Sequence, residues 1–449
     1  MNRAITVTLR ALLVFSMATT LAVAADPEET YRDRLRFIPD TEAGRTPGEI
    51  NTSKPIKILN TKNFETDTIS AERVYLGQMY KPCVIRLPDD TLRLSARATT
   101  PHYDFSKNEF PLLKSTDGGR AWSKLPEPPF TPSENYMSTL GDGTVLMTFA
   151  SSWRDKSQGD FSSMIYRSED GCRAWQPSGP GSSGVGTRNV LELADGSLLW
   201  GQARIRGESQ KDMIWRSTDG GRTWTEKYPA RFEGMPDDYP YGMAIEMFLW
   251  QSTSGRLFGI ARVDFRHMPP IPGKEVPSRE WIERVLDQSE GMLMYTSDDM
   301  GRNWKPVRYL GDYGQHYPSI LKLQDGRLLL SYTVRDPVPH ETGLVGTSAV
   351  LGSDKGDDLQ FDFDHDVIEL DARLPYCRQP YGIWQPRKKG GPWIWNPRGG
   401  SGWSPTVQLK DGTLVTAYSY RTGTSDDAGK KDAEPLHCEV VRWRLPKIK

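Results

Sequence analysis

Ser217-Thr218-Asp219-Gly220-Gly221-Arg222-Thr223-Trp224 decides the fold of this chain, because it recurs. Ser115 to Trp122 reads STDGGRAW, Ser168 to Trp175 reads SEDGCRAW and Ser297 to Trp304 reads SDDMGRNW. The outline is S-x-D-x-G-x-x-W, and each copy follows a short apolar run such as Met164-Ile165-Tyr166 or Met213-Ile214-Trp215. The Asp carboxylate can accept backbone N–H bonds inside a tight turn, and Gly supplies the positive φ that such a turn needs. The Trp then folds back as an apolar plug. The spacing therefore predicts a hairpin between two outer strands of a small sheet, a structural turn rather than a ligand site.

A second signature precedes each box: an apolar strand, a tight turn and another apolar strand. The turns are at Asp89-Asp90, Asp142-Gly143, Asp195-Gly196, Ser254-Gly255, Asp325-Gly326 and Asp411-Gly412. Asp-Gly between apolar runs is a strong hairpin signal. Two hairpins give four strands per repeat, and the first two steps (143 − 90 and 196 − 143) are both 53 residues. A period near 50 with four strands per unit reads as a propeller blade. The expectation is an all-β, six-bladed β-propeller of four-stranded antiparallel blades. In blade 5 the box is degenerate, Ser353-Asp354-Lys355-Gly356, with Leu359 in place of Trp. Blade 6 ends at its third strand, around Val440 to Trp443, so its fourth must be borrowed. The expected donor is the N-terminal strand Ile56 to Leu59, which closes the ring and removes two open edges.

The rest of the chain frames that ring. Residues 1–24 carry Arg3, Arg10, an apolar run and Ala22-Val23-Ala24, the pattern of a cleaved secretory signal. Its apolar run is short for a membrane span. Residues 25–54 read as an exposed N-terminal arm and 55–449 as the propeller. The expected location is secreted or periplasmic, with no membrane span after signal removal. Loss of Arg3 and Arg10 takes the net charge from −1 to −3, and no basic excess points to nucleic acid. The four cysteines, Cys83, Cys172, Cys377 and Cys438, allow three pairings. Without HExxH, CxxC, a phosphate loop or a metal-spaced His pair, no catalytic metal and no cofactor are expected.

Topology selects the working face. With strands A to D counted outward, the D-G turns (A to B) and the boxes (C to D) share one face. The B–C loops and D–A links share the other, and every long insertion falls there: Tyr228 to Tyr241, Asp264 to Glu290 and Asp371 to Gly402. Strand B ends in Arg97, Arg204, Arg262, Arg335 and Arg421, and strand A is preceded by Tyr80-Lys81, Tyr136, Arg188, Glu246, His316-Tyr317 and Trp403. Guanidiniums around a central pocket would attract an anionic ligand. Aromatics and Arg in the last insertion suit a sugar. Local pairing, as of Arg262 with Asp264 or Arg335 with Asp336, is the competing reading for any one Arg.

Repeats and boxes of this form resemble the sialidase (neuraminidase) superfamily of BNR-repeat proteins, over residues 80–445. The resemblance implies an exported exo-glycoside hydrolase acting on a terminal acidic sugar, sialic acid or similar, of glycans. It also implies an Arg triad on the substrate carboxylate, an Asp acid/base and a Tyr nucleophile assisted by Glu. Glu246 followed by Arg262 is the best local match; Asp104 sits where the acid/base loop falls, with His102 beside it. The family's R-I-P Arg is here Lys81-Pro82, and the Tyr that opens the family's last blade is here Trp403, so Tyr317 is the candidate stand-in. The expected catalytic set is Glu246, Asp104 and Tyr317. The expected substrate-binding set is Arg262, Arg97, Arg335, Arg188, Lys81, His102, His316 and Trp403. Two other readings stand beside the sialidase one: a non-catalytic carbohydrate-binding propeller, and another carbohydrate-active enzyme, a uronic-acid-directed hydrolase or lyase, on the same scaffold.

Overall fold

The computed structural model describes residues 45–98, 110–130, 134–150, 162–179, 182, 183, 185–203, 212–236, 239, 242–244, 246–276, 290–335, 345–373, 385, 386, 393, 394, 404–421 and 436–449. Every regular element among them is a strand. Six antiparallel sheets follow one another along the chain. Blade 1 is Met79–Arg86, Leu92–Ala98, Leu112–Ser115 and Ser123–Lys124; blade 2 is Glu134–Thr139, Val145–Ala150, Ser162–Ser168 and Gln176–Pro177. Blade 3 has an interrupted inner strand, Val185–Gly186 and Leu191–Glu192, both paired to Leu198–Ala203, then Asp212–Ser217 and Glu226–Pro229. Blade 4 is Phe248–Gln251, Leu257–Val263, Gly291–Ser297 and Asn303–Leu310; blade 5 is Gln315–Lys322, Leu328–Val334, Val345–Asp354 and Val367–Arg373.

Blade 6 corrects the expected closure. Its strands Thr406–Gln408, Leu414–Arg421 and Leu436–Trp443 take their fourth neighbour from Glu72–Gly77, with Val440 opposite Val74. Ile56–Leu59 pairs instead with Val367, Ile368 and Glu369 at the outer edge of blade 5. Chain order explains the choice: only Gln78 separates Glu72–Gly77 from the inner strand of blade 1, so that segment alone can serve as the outer strand of one blade and lead into the next. The stretch read as an exposed arm is docked where it is described. Ile50–Asn51 adds a further strand to blade 6 against Val74 and Arg73, and the buried Arg45 guanidinium pairs with the Glu439 carboxylate.

The boxes are the turns the sequence predicts. In each, the Ser hydroxyl donates to the Asp carboxylate and accepts the N–H four residues on, while the Asp accepts two further N–H groups, as Asp219 does from Arg222 at 3.0 Å and Thr223 at 2.9 Å. The Trp plugs Trp175, Trp224 and Trp304 are buried. The second copy departs from the outline: Cys172 stands in the Gly place and takes φ +72 itself. The degenerate fifth box keeps its Asp354–Gly356 bond at 2.8 Å and buries Leu359 where Trp would lie. Arginines rivet the boxes across blades. Arg93 donates to Gly171 O at 2.8 Å, Arg167 to Gly220 O at 2.9 Å and Arg442 to Gly118 O at 2.7 Å, the last joining blade 6 to blade 1. Cys83, Cys172 and Cys438 are buried thiols in no disulfide.

Candidate functional site at the propeller axis

The inner strands are irregular where they meet the axis. In blade 1 the register shifts between Tyr80 and Cys83, and in blade 5 between His316 and Ser319. Lys81, Glu246 and Tyr317, the equivalent residues of blades 1, 4 and 5, all take left-handed backbone, with φ of +50, +53 and +61. Such a conformation costs a non-Gly residue on the order of 1–3 kcal/mol and clusters at functional sites. In blades 1 and 5 bulge and φ together re-aim a side chain that a regular strand would send into the blade interface; in blade 4, Glu246 has the φ alone, just ahead of the inner strand. In blade 3, Arg188 sits in the break of the inner strand, where its N–H donates to Met247 O at 2.8 Å.

These devices bring seven of the expected residues together. Glu246 is buried; its carboxylate pairs with Arg262, and Lys81 Nζ lies 3.9 Å from its other oxygen. Arg262 Nη1 also donates to the Tyr317 hydroxyl at 3.0 Å. Four cations surround the Tyr317 ring: Arg188 at 4.2 Å from its centroid, Arg335 at 4.7 Å, Arg262 at 5.3 Å and Lys81 at 5.7 Å. His316 stacks on Tyr317 at 4.3 Å and is fully buried. Arg97 is buried and register-paired with Tyr80, whose hydroxyl accepts from Arg335 at 3.5 Å. Asp104, His102 and Trp403 lie outside the described residues, as do Arg204, Asp336, Cys377 and most of the aromatic insertion after Asp371.

Glu290 is the residue the sequence reading passed over. It precedes the third strand of blade 4 and holds Arg262 through both oxygens, at 2.9 Å to Nη2 and in a second bond to Nε. The pairing of Arg262 with Asp264 is corrected accordingly: Asp264 binds Arg266 instead. Antiparallel register offered the signal, since Val263 faces Gly291 and Glu290 is its neighbour, but that register crosses a long insertion.

Charge settles the ionisation states. Burial alone would push the Glu246 carboxyl up, but Arg262, then Lys81, Arg188 and Arg335, hold it at about 2. Burial brings the Arg188 guanidinium down to about 10, opposed by Glu246 and Tyr317. Burial, then Arg335, Arg262, Arg188 and Lys81, keep His316 neutral, well below the ordinary imidazole range. Burial also raises the Tyr317 phenol, although Arg262 and Arg335 pull it back. At neutral pH the group is thus an ionised carboxylate and a neutral phenol inside a ring of cations. It can hold an anion; Glu246 cannot donate a proton there. Among the described residues, no cluster of three metal-ligating side chains is present.

Comparison with known proteins agrees on the architecture. No curated protein matches the chain. A solved structure of a protein of unknown function from Dyadobacter fermentans is similar over 89% of this chain and 100% of its own, with 17% identity and a TM-score of 0.52. Trypanosoma rangeli sialidase aligns over 88% of this chain and 58% of its own, at 14% identity and a TM-score of 0.44. An alpha-L-arabinofuranosidase of Fusarium graminearum, solved with arabinobiose, aligns over 88% and 98%, at 15% identity and a TM-score of 0.36. The first of these supports the fold, and at such identities none of them carries a substrate across. The profile of the family described as BNR repeat-like domain matches residues 61–330. More than half of the sequence lies within that match, and the chain belongs to the BNR repeat-like domain family.

Proposed function

We propose that the axial site binds the carboxylate of a terminal acidic sugar on a glycan, and that the protein is an exported exo-glycoside hydrolase of sialidase type. The convergence of Lys81, Arg188, Arg262 and Arg335 on one buried point carries this reading. Guanidinium forks recognise carboxylates by paired, charge-assisted bonds, which are stronger than neutral ones. In this reading Arg262, fixed by Glu290, and Arg335 grip the sugar carboxylate, and Lys81 replaces the family's first Arg as a point charge. Glu246 keeps Arg262 in place and stabilises positive charge as a glycosidic bond breaks. The proton donor is Asp104, and Tyr317 is the nucleophile candidate.

One observation favours the second reading, a propeller that binds acidic sugars without turnover. Glu246 is committed to Arg262 and held at about 2, which makes it a weak base as well as no acid. The experiment separates the two. Purified protein is assayed against aryl glycosides of sialic and uronic acids, and binding of the same sugars and their neutral analogues is measured in parallel. Arg335→Ala is the informative variant, because Arg262 also anchors Glu290. It is expected to weaken acidic-sugar binding by about tenfold or more, the scale of one charged hydrogen bond, and to leave neutral analogues nearly unchanged. Equal loss for both sinks the anionic reading, whether or not turnover is seen.

A further inference from the structure

A second feature lies off the axis, between blades 4 and 5, where a cleft of about 240 Å³ opens. Its floor is one face of the blade 5 sheet. Tyr332 faces Ser348 and Ser348 faces Glu369 across successive strands, so the three side chains stand in a row. Glu369 is nine-tenths buried and makes no hydrogen bond or ion pair with any described residue. The nearest cations are otherwise placed: Lys57, opposite it on the edge strand, is exposed, and Lys54 pairs with Asp371 at 2.8 Å. Burying a carboxylate without donors is costly, so such a group marks a place where donors arrive from outside. Burial pushes its carboxyl up, against the pull of Lys57 and Lys54.

The walls narrow the chemistry of what arrives. Phe363 offers a half-buried ring, 5.5 Å from that of Tyr332. On the blade 4 side, Asp312 is bound to Lys274 at 3.5 Å, and Gly311 lets the backbone come close to the Phe363 ring, which a Cβ would meet at 3.0 Å. Acceptors dominate this lining, with an apolar ring face beside them. An acidic sugar would meet Glu369 as a like charge. A neutral ring sugar can stack an apolar face on Phe363 and donate two hydroxyls to Glu369. A hexose unit is of the right size for such a cleft.

We propose that the cleft between blades 4 and 5 is a second binding site, which takes one neutral, hydroxyl-rich sugar unit through Phe363 and Glu369. This does not rest on the axial reading, although the link from Gly311 to Tyr317 borders both places: Gln315 lines the cleft, and His316 and Tyr317 line the axis.

The test is titration of the full-length protein with galactose, glucose, N-acetylglucosamine and lactose, followed by ligand-observed NMR and calorimetry, with glycerol as the polyol control. At least one neutral sugar should bind saturably. Glu369→Ala and Phe363→Ala should each weaken it by about tenfold, and Arg335→Ala should leave it unchanged. If Glu369→Ala does not fold, Phe363→Ala at the half-buried rim carries the test. Absence of saturable binding overturns the proposal, as does glycerol binding equally well. So does binding lost in Arg335→Ala and kept in both cleft variants, which would place the sugar on the axis.

Discussion

Glu246 is an ionised carboxylate in a buried place that would ordinarily neutralise one. Its charge persists because Arg262 and Lys81 stand against it and Arg188 and Arg335 lie behind them. The consequence for stability has a definite sign. Its folded pKa, about 2, lies below the ordinary value of 4.5. The stabilisation is therefore complete above the unfolded value and is lost as the pH falls from there through the folded one. Glu246→Gln leaves buried cations without this partner and should cost about 3–5 kcal/mol at pH 7, read by urea unfolding. The gap between variant and parent should shrink as the pH is lowered below 4.5; a gap that is constant with pH would show that the charge is not what the residue contributes. At this scale the sequence was half legible. Residues at the starts of inner strands and the ends of second strands could be placed by topology. The left-handed backbone of Lys81, Glu246 and Tyr317 could not, because no glycine announces it; Pro82 and Pro318 mark the two bulges only in hindsight.

The box is a small element whose work is local. Asp219 lies partly exposed on the face opposite the axial cations. Burial opposes its ionisation, yet the hydroxyl and N–H of Thr223, the Ser217 hydroxyl and the Arg222 N–H bring its carboxyl to about 2. Asp219→Ala should destabilise by about 1–2 kcal/mol, the scale of a lost helix-capping side chain, and leave ligand affinity intact. A variant as stable as the parent that no longer binds sugar would place the working face on the wrong side. Elements were the most legible level, because a D-G turn and a box each fix two strands with a few residues. The rivets between them were not legible: Arg93, Arg167 and Arg442 look like ordinary strand charges until the neighbouring blade supplies the carbonyl. The outer strand of blade 6 was misplaced for a related reason. Ile56 to Leu59 has the cleaner apolar alternation, but Glu72–Gly77 has the right neighbour in the chain.

Across the whole molecule, the first and last described segments meet in blade 6. Arg73, fully buried, donates to Tyr418 at 2.6 Å and to Lys54 O at 3.1 Å; Tyr418 in turn donates to Glu439 at 2.5 Å, and Glu439 also holds Arg45. Arg73→Met would take a buried charged donor from the Tyr418 hydroxyl and the Lys54 carbonyl. It should cost about 3 kcal/mol or more, seen as an earlier unfolding transition. An unchanged midpoint would mean that the seam is not a point of strength. The seam also imposes a schedule. Glu72 and Arg442, which pair across it, are 370 residues apart in sequence. During synthesis the outer strand of the last blade is thus among the first segments made and among the last to find its place. Until the C-terminal strands emerge, Glu72–Gly77 has an unsatisfied edge and an apolar face, and contacts of such long range form slowly. A nascent chain stalled in its final blade would carry five blades' worth of sheet beside one sticky strand, which makes the closing stage of biogenesis, rather than the finished ring, the moment at which this protein is most open to aggregation or to a chaperone.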